Sequence, residues 1–232
     1  MNKTTFVLIH SAWLGAWAWQ SVAQLLEKQG HKVIALDLPG HGKDKTSPAD
    51  IKLQHYVETV LSELDKLDEE VVLVGHSFGG ITISQVAERL PTRVRALVYL
   101  AAFMLPDGHS FIDAVSSIES FSTSVAVKNF VLSSDKTTAQ VESSVMHDAF
   151  AHDIPQASFN SASPHMVPEP AGPLFEKLSL SDSHFGTVPR YYISTTEDRA
   201  IPIDAQRHMI AEQPVEQLFT LASSHCPNFS QP

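Results

Sequence analysis

Over the first hundred residues, apolar runs of strand length alternate with amphipathic segments of helix length. Thr5 to His10 (TFVLIH) reads as a strand buried on both faces. Trp17 to Lys28 sets Trp17, Val22, Leu25 and Leu26 on one helical face and meets a stop at Gly30. Lys32 to Leu38 (KVIALDL) is the next strand, closed by Pro39-Gly40. His55 to Leu67 is the next helix, with Val57, Val60, Leu61 and Leu64 together. Glu70 to Val74, Gly79 to Leu90 and Val94 to Phe103 complete a strand, a helix and a strand. Strands separated by helices of this length need right-handed crossovers. The pattern therefore predicts an α/β fold, a mostly parallel sheet covered by helices on both faces.

From Met104 to Val188 the alternation breaks. The stretch is rich in Ser, His and Pro and holds seven of the twelve Phe. It is too long for a plain loop in a compact domain, so residues 104–188 are expected to form an inserted helical cap. Thr138 to Phe150 is its clearest helix. The sheet pattern resumes with Arg190 to Ser194, a helix near Asp204 to Glu212, and a strand over Val215 to Ala222. The expected core is thus residues 1–103 and 189–232, with about six strands. The chain reaches Pro232 soon after that strand, where a further helix would cover the sheet, so it reads as a portion of a longer protein.

Composition enters mainly by exclusion. Sixteen basic against 26 acidic residues leave a net charge of −10, which repels phosphate backbones, so no nucleic-acid partner is expected. One cysteine, Cys226, rules out an internal disulfide framework and a Cys-rich zinc site. The longest apolar run, Ala96 to Leu105, is ten residues, about half of what a membrane span needs. The N-terminal apolar stretch is too short for a secretory signal. A soluble, cytoplasmic protein without membrane association is the expectation. No His, Asp or Glu spacing resembles a metal site and no G-x-G-x-x-G or Walker pattern occurs, so neither metal nor cofactor is expected.

Gly75-His76-Ser77-Phe78-Gly79 fits G-x-S-x-G. Alone, such a match is weak. Here the apolar strand VVLV precedes it directly and a helical pattern follows directly. A strand-to-helix turn this tight strains the backbone at the serine, and small residues two before and two after let neighbouring chain pass. The serine is then presented above the carboxyl ends of the strands. A serine hydroxyl needs a base. His225 follows the last strand within a short loop, and Asp198 follows the strand before it, the order Ser, acid, His that such a scaffold requires. Glu197 is adjacent and Asp107, after the strand ending at Phe103, could reach a similar place, so the acid has alternatives. Oxyanion donors are expected from the N–H of Phe78 and, in the loop after the first strand, the N–H of Ala12. Ser11, Trp13 and Phe103 are the expected substrate-binding residues. His41 and His76 read as loop hydrogen-bonders, and Asp37 as a turn residue. Of Trp13, Trp17 and Trp19, some belong to the core and some to the pocket wall.

FVLIHSAWLGAWAW (6–19), GHKVIALDLPGHG (30–42), VVLVGHSFGG (71–80), STTEDRAIPIDAQ (194–206) and SSHCPNFSQP (223–232) together resemble the α/β-hydrolase superfamily. Within it they are most similar to the small methylesterase and hydroxynitrile lyase group of plants and to bacterial esterase relatives. The resemblance covers the chain except most of the cap. It implies the α/β-hydrolase fold, a triad of Ser77, Asp198 and His225, oxyanion donors at Ala12 and Phe78, a cap roofing the pocket, and no cofactor. The first-strand loop reads HSAW where HGAW is common among the esterases, and its serine resembles the threonine of the lyases. Those lyases place a lysine directly after the catalytic histidine, where this chain has Cys226.

The expected activity is that of a serine carboxylesterase acting through an acyl-enzyme on small, fairly apolar esters, methyl or aryl esters among them. Its partner is the small-molecule ester, and a homodimer is the candidate assembly. Two rivals stand beside it. A hydroxynitrile lyase would release cyanide. A hydrolase-derived small-molecule receptor would bind without turnover, which p-nitrophenyl acetate distinguishes.

Overall fold

The computed structural model describes residues 3–232. β1 (Thr5–Ile9) leads through a 3₁₀ turn (Ala16–Trp19) into α1 (Gln20–Lys28) and then β2 (Lys32–Leu36). α2 (Leu53–Leu64), β3 (Val71–His76), α3 (Gly79–Arg89) and β4 (Val94–Leu100) follow. The order is the expected one, with bounds shifted by a few residues. β4 stops at Leu100 rather than Phe103 because Ala101 turns the chain at a φ of 42°.

The segment after β4 holds α4 (Phe111–Ser117), α5 (Val125–Lys128), β5 (Phe130–Leu132), β6 (Thr138–Val141), α6 (Met146–Phe150), α7 (Gln156–Ala162), β7 (Glu169–Pro170) and α8 (Gly172–Phe175). The same segment holds a three-stranded antiparallel sheet, β5-β6-β7. Thr138 to Phe150 is therefore not one helix. Its first four residues alternate, with Ala139 and Val141 buried and Gln140 exposed, which is a strand's period of two. Ser143 and Ser144 separate this strand from the helical turn at Met146. The core then closes with β8 (Arg190–Thr195), α9 (Ile203–Glu212), β9 (Gln217–Leu221) and α10 (Pro227–Ser230).

The main sheet runs in the order β2-β1-β3-β4-β8-β9, and all its pairings are parallel. From β1 the chain first steps to one side, to β2, and then crosses to the other side, to β3. The connections leaving β1 and β3 therefore part above the sheet, and the crevice they leave at the carboxyl ends is where open α/β sheets bind ligands. α2 turns Leu53, Tyr56, Val57, Val60 and Leu64 inward at helical spacing, and α3 is buried along most of its length. These helices cover one face with the larger core. α1 covers the other over a smaller cluster of Leu8, Trp19 and Leu100. No helix among the described residues is long and apolar enough to cross a membrane.

Candidate active site

Ser77 sits between β3 and α3 with a φ of 53°, a left-handed conformation that strains a serine by on the order of 1–3 kcal/mol. The surrounding chain holds it there. Its N–H donates to the Leu100 carbonyl at 3.1 Å, and its own carbonyl accepts from Phe103 N–H at 3.0 Å. The glycines make the turn possible. A Cβ on Gly75 would lie 2.7 Å from the Gly79 backbone, and one on Gly79 would lie 2.8 Å from the Ile9 and His10 carbonyl oxygens. Gly80, which the motif does not single out, is tighter still, with Phe103 O 2.3 Å from its Cβ position.

The loops after β8 and β9 bring Asp198 and His225 together. His225 Nδ1 and Asp198 Oδ2 are 2.8 Å apart, and both side chains are buried. Asp198 is fixed in turn. Its Oδ1 accepts from the N–H groups of Ala200 and Ile201, both at 2.8 Å, and its Oδ2 accepts from the Thr195 hydroxyl at 2.9 Å. A carboxylate only accepts, so the His225 proton lies on Nδ1, and Nε2 makes no hydrogen bond to protein among the described residues. The rival acids lie elsewhere. Asp107 accepts from Leu180 N–H at an exposed site, and Glu197 is exposed.

His76 ties this pair to the serine turn. Its Nε2–H donates to the His225 carbonyl at 2.8 Å, and the two rings lie 4.9 Å apart. Burial, with His225 beside it, pushes the His76 pKa down to about 3, so the ring is neutral and holds a fixed tautomer. Asp153, in the segment between β4 and β8, braces the same loop by accepting from Ser224 N–H at 2.9 Å.

The loop after β1 is set from below by His10. Burial, with His41 nearby, takes the His10 pKa to about 3. Its Nε2 accepts from Leu38 N–H at 3.0 Å, so its Nδ1–H donates to the Ser11 carbonyl at 2.8 Å. The Ser11 carbonyl and the Ala12 N–H belong to one planar trans peptide and point opposite ways. Ala12 and Phe78 are buried, line one chamber together with Ser77, and donate their N–H groups to no protein acceptor among the described residues. Buried donors are normally paired, so two free ones beside a serine suit a developing oxyanion.

Two apolar chambers meet here. The first is lined by Ser77, Phe78, Phe103, Phe111, Phe130 and Ile201, among others. The second contains Ser11, Leu14, Trp17, Phe159, His225 and Cys226. Ala12, Trp13 and Phe150 belong to both. Phe150 packs on Trp13 and on His225, at 5.3 Å and 5.6 Å between ring centroids. Ser11, Trp13 and Phe103 thus all face the chambers. Trp17 is a wall, whereas Trp19 belongs to the small core under α1. Gln206, whose side-chain amide donates to Asp198 Oδ2 at 3.3 Å, Asp153 and Phe150 carry no local motif that announces their places. His76, expected as a loop hydrogen-bonder, ends β3 and makes its hydrogen bond to the His225 carbonyl.

The sequence profile described as "Alpha/beta hydrolase family" matches residues 6–232. The chain belongs to the alpha/beta hydrolase family. This alpha/beta hydrolase is 38% identical over its whole length to the Arabidopsis thaliana protein named "Putative methylesterase 11, chloroplastic", of which it spans 62%. It spans about half of two related proteins, 53% and 54% of their lengths. It is 34% identical to methylesterase 2 of the same plant, with all of this chain and 92% of that one covered. Among solved structures, a pyrethroid hydrolase from Sphingobium faniae superposes with a TM-score of 0.89 at 28% identity, covering 100% of this chain and 93% of the other.

Proposed function

We propose that this alpha/beta hydrolase is a serine carboxylesterase for small, fairly apolar esters, with Ser77, His225 and Asp198 as its triad. The observation that carries the reading is the 2.8 Å Asp198–His225 hydrogen bond beside a strained serine whose chamber also presents two unpaired buried N–H groups. In the proposed reaction Ser77 Oγ attacks the ester carbonyl carbon while His225 Nε2 takes its proton. Asp198 holds the imidazolium that forms. The Ala12 and Phe78 N–H groups receive the oxyanion. The intermediate collapses with the alkoxide taking the proton from Nε2–H, and an alcohol leaves. Water, deprotonated by the same nitrogen, then attacks the acyl-enzyme and frees the acid. The acyl group occupies the chamber shared by Ser77 and the oxyanion donors. The alcohol occupies the one on the His225 side, where it meets its proton. Neither chamber is lined by lysine or arginine among the described residues, which favours neutral substrates. The names of the relatives, methylesterases and a pyrethroid hydrolase, support ester cleavage.

The second reading, cyanohydrin cleavage, is favoured by the Ser11 hydroxyl in the second chamber. It is opposed by Cys226. Burial, with Asp198 and Asp153 near, pushes that thiol well up, so it is neutral and cannot accompany a departing cyanide. The deciding experiment screens p-nitrophenyl, aryl and methyl esters and mandelonitrile with wild type and Ser77→Ala. Ester turnover that falls at least ~10³-fold in the variant supports the proposal. Rapid cyanide release with weak ester hydrolysis would install the lyase, and binding without any turnover would favour a receptor.

A further inference from the structure

Glu169 lies on β7 in the cap, 1% exposed. It accepts three hydrogen bonds. Its Oε2 takes the Trp13 N–H at 3.1 Å and pairs with His41 Nε2 at 2.8 Å, and its Oε1 takes the Tyr56 hydroxyl at 2.9 Å. Burial opposes charge on either member of the pair with His41. Their mutual attraction, together with the hydrogen bonds of Trp13 and Tyr56 to Glu169 and of His41 to the Pro39 carbonyl, outweighs it, lowering the Glu169 pKa and raising that of His41. Burying such a pair is expensive, and apolar packing of equal volume often stabilises as well or better. Stability alone is therefore a weak reason for its presence.

The third partner gives a stronger one. Trp13 follows Ala12 directly and adopts a φ of 64°, a conformation unfavourable for a bulky residue. The cap holds it there at three points. Glu169 takes its N–H, Val167 N–H donates to its carbonyl at 3.0 Å, and its indole N–H donates to the Ala139 carbonyl at 3.0 Å. Each of the two peptides flanking Ala12 is thereby held by a buried side chain. His10 draws the Ser11 carbonyl away, which leaves the Ala12 N–H on the other side of that peptide. Glu169 draws the next N–H, that of Trp13, toward the cap.

We propose that Glu169 is a positioning residue for the oxyanion loop: from the cap it holds the Trp13 peptide in its left-handed turn, and so fixes the direction of the Ala12 N–H beside Ser77. The inference rests on the serine-esterase reading. It adds that a cap carboxylate, and not the core alone, completes the oxyanion site. Its signature is a loss of transition-state binding without loss of ground-state binding.

The test compares Glu169→Met, which keeps the volume and removes the acceptor, with Glu169→Gln. The glutamine amide oxygen can still accept from Trp13 while its NH₂ donates to the Tyr56 oxygen. Measured for each are the melting temperature, kcat and KM on a p-nitrophenyl ester, and the inhibition constants of two ligands. One is an alkyl trifluoromethyl ketone, whose adduct on Ser77 places an oxyanion in the site. The other is the product acid, which forms no adduct. For Glu169→Met, kcat is expected to fall on the order of 10- to 100-fold, less than the roughly 10²–10³ that removing a donor outright brings. KM and product inhibition should stay near wild type, and ketone inhibition should weaken by about the factor lost in kcat. Glu169→Gln should recover most of the loss. Should the methionine variant fail to fold, Glu169→Asp replaces it: one methylene shorter, it keeps a charge near His41 but withdraws the acceptor from Trp13, and the same split is expected. A folded Glu169→Met protein with wild-type kcat and ketone inhibition would overturn the proposal, and so would equal losses in the Met and Gln variants. Ester hydrolysis that survives Ser77→Ala would instead refute the serine reading beneath it, so the two failures are separable.

Discussion

Asp198→Asn is the substitution whose consequence the structure defines most closely. Asparagine is nearly isosteric, so the question is which way its amide points. Oδ1 of Asp198 accepts from two backbone N–H groups, Ala200 and Ile201, at 2.8 Å each. Turning an NH₂ toward them would set donor against donor and strand two buried groups, at about 1–3 kcal/mol each. The Oδ2 side opposes only one donor to an NH₂, the Gln206 side-chain amide at a longer 3.3 Å, so the amide oxygen takes the Oδ1 place and the NH₂ that of Oδ2, facing His225 Nδ1 and the Thr195 hydroxyl. The hydroxyl can rotate to accept. The imidazole can satisfy an NH₂ donor only by accepting at Nδ1, which moves its proton to Nε2. That nitrogen then presents a proton to Ser77 and cannot take one. The same tautomer error in a serine protease lowers kcat by roughly 10⁴, or about 5 kcal/mol of barrier, and a loss of that order is expected here. The assay is kcat and KM on p-nitrophenyl acetate, with melting temperature measured on the same sample and the His225 tautomer read from ¹⁵N chemical shifts. Activity within tenfold of wild type in a folded variant, or a proton still on Nδ1, would refute the reasoning.

Two further expectations concern stability. Gly75→Ala places a Cβ 2.7 Å from the Gly79 backbone, which cannot yield as a side-chain end would, so a loss of about 1–3 kcal/mol or more is expected with loss of activity. Gly30→Ala meets nothing within 4 Å and carries only the strain of its φ of 89°, so thermal melts should show the smaller drop and unchanged activity there. His10 and His76 have folded pKa values near 3 against the ordinary 6.5. A base with a depressed pKa contributes its full stability above 6.5 and loses it as pH falls toward 3. By pH 4.5 the loss is on the order of 2–3 kcal/mol for each. Glu169, also depressed, loses its contribution in the same direction below 4.5. His41, raised, loses its contribution as pH climbs through its folded value above 6.5. Urea denaturation at pH 7 and 4.5 measures the acid limb, and equal midpoints would show that the two imidazoles are not buried and neutral.

The alternation of strand and helix patterns determined the sheet, its parallel sense and the edge at which the strands' carboxyl ends lie. Those properties follow from local periodicity and from the handedness of crossovers, which every short window of the chain carries. The strained turn at Ser77 was legible for the same reason, because Gly75, Ser77 and Gly79 lie within five residues and one turn. His225 and Asp198 were placed by their order after the last two strands, but three acids competed. Only the folded chain put the Asp198 carboxylate 2.8 Å from His225 and left Asp107 bonded to Leu180. The segment between β4 and β8 was the least legible part. Thr138 to Val141 is too short for its period to stand out, and it became a strand through pairing with residues on either side of it in sequence, from Phe130 to Pro170. Glu169 had no signal at all. Its partners Trp13, Tyr56 and His41 lie 156, 113 and 128 residues away, and a buried carboxylate acquires its role only from the donors that tertiary packing brings to it.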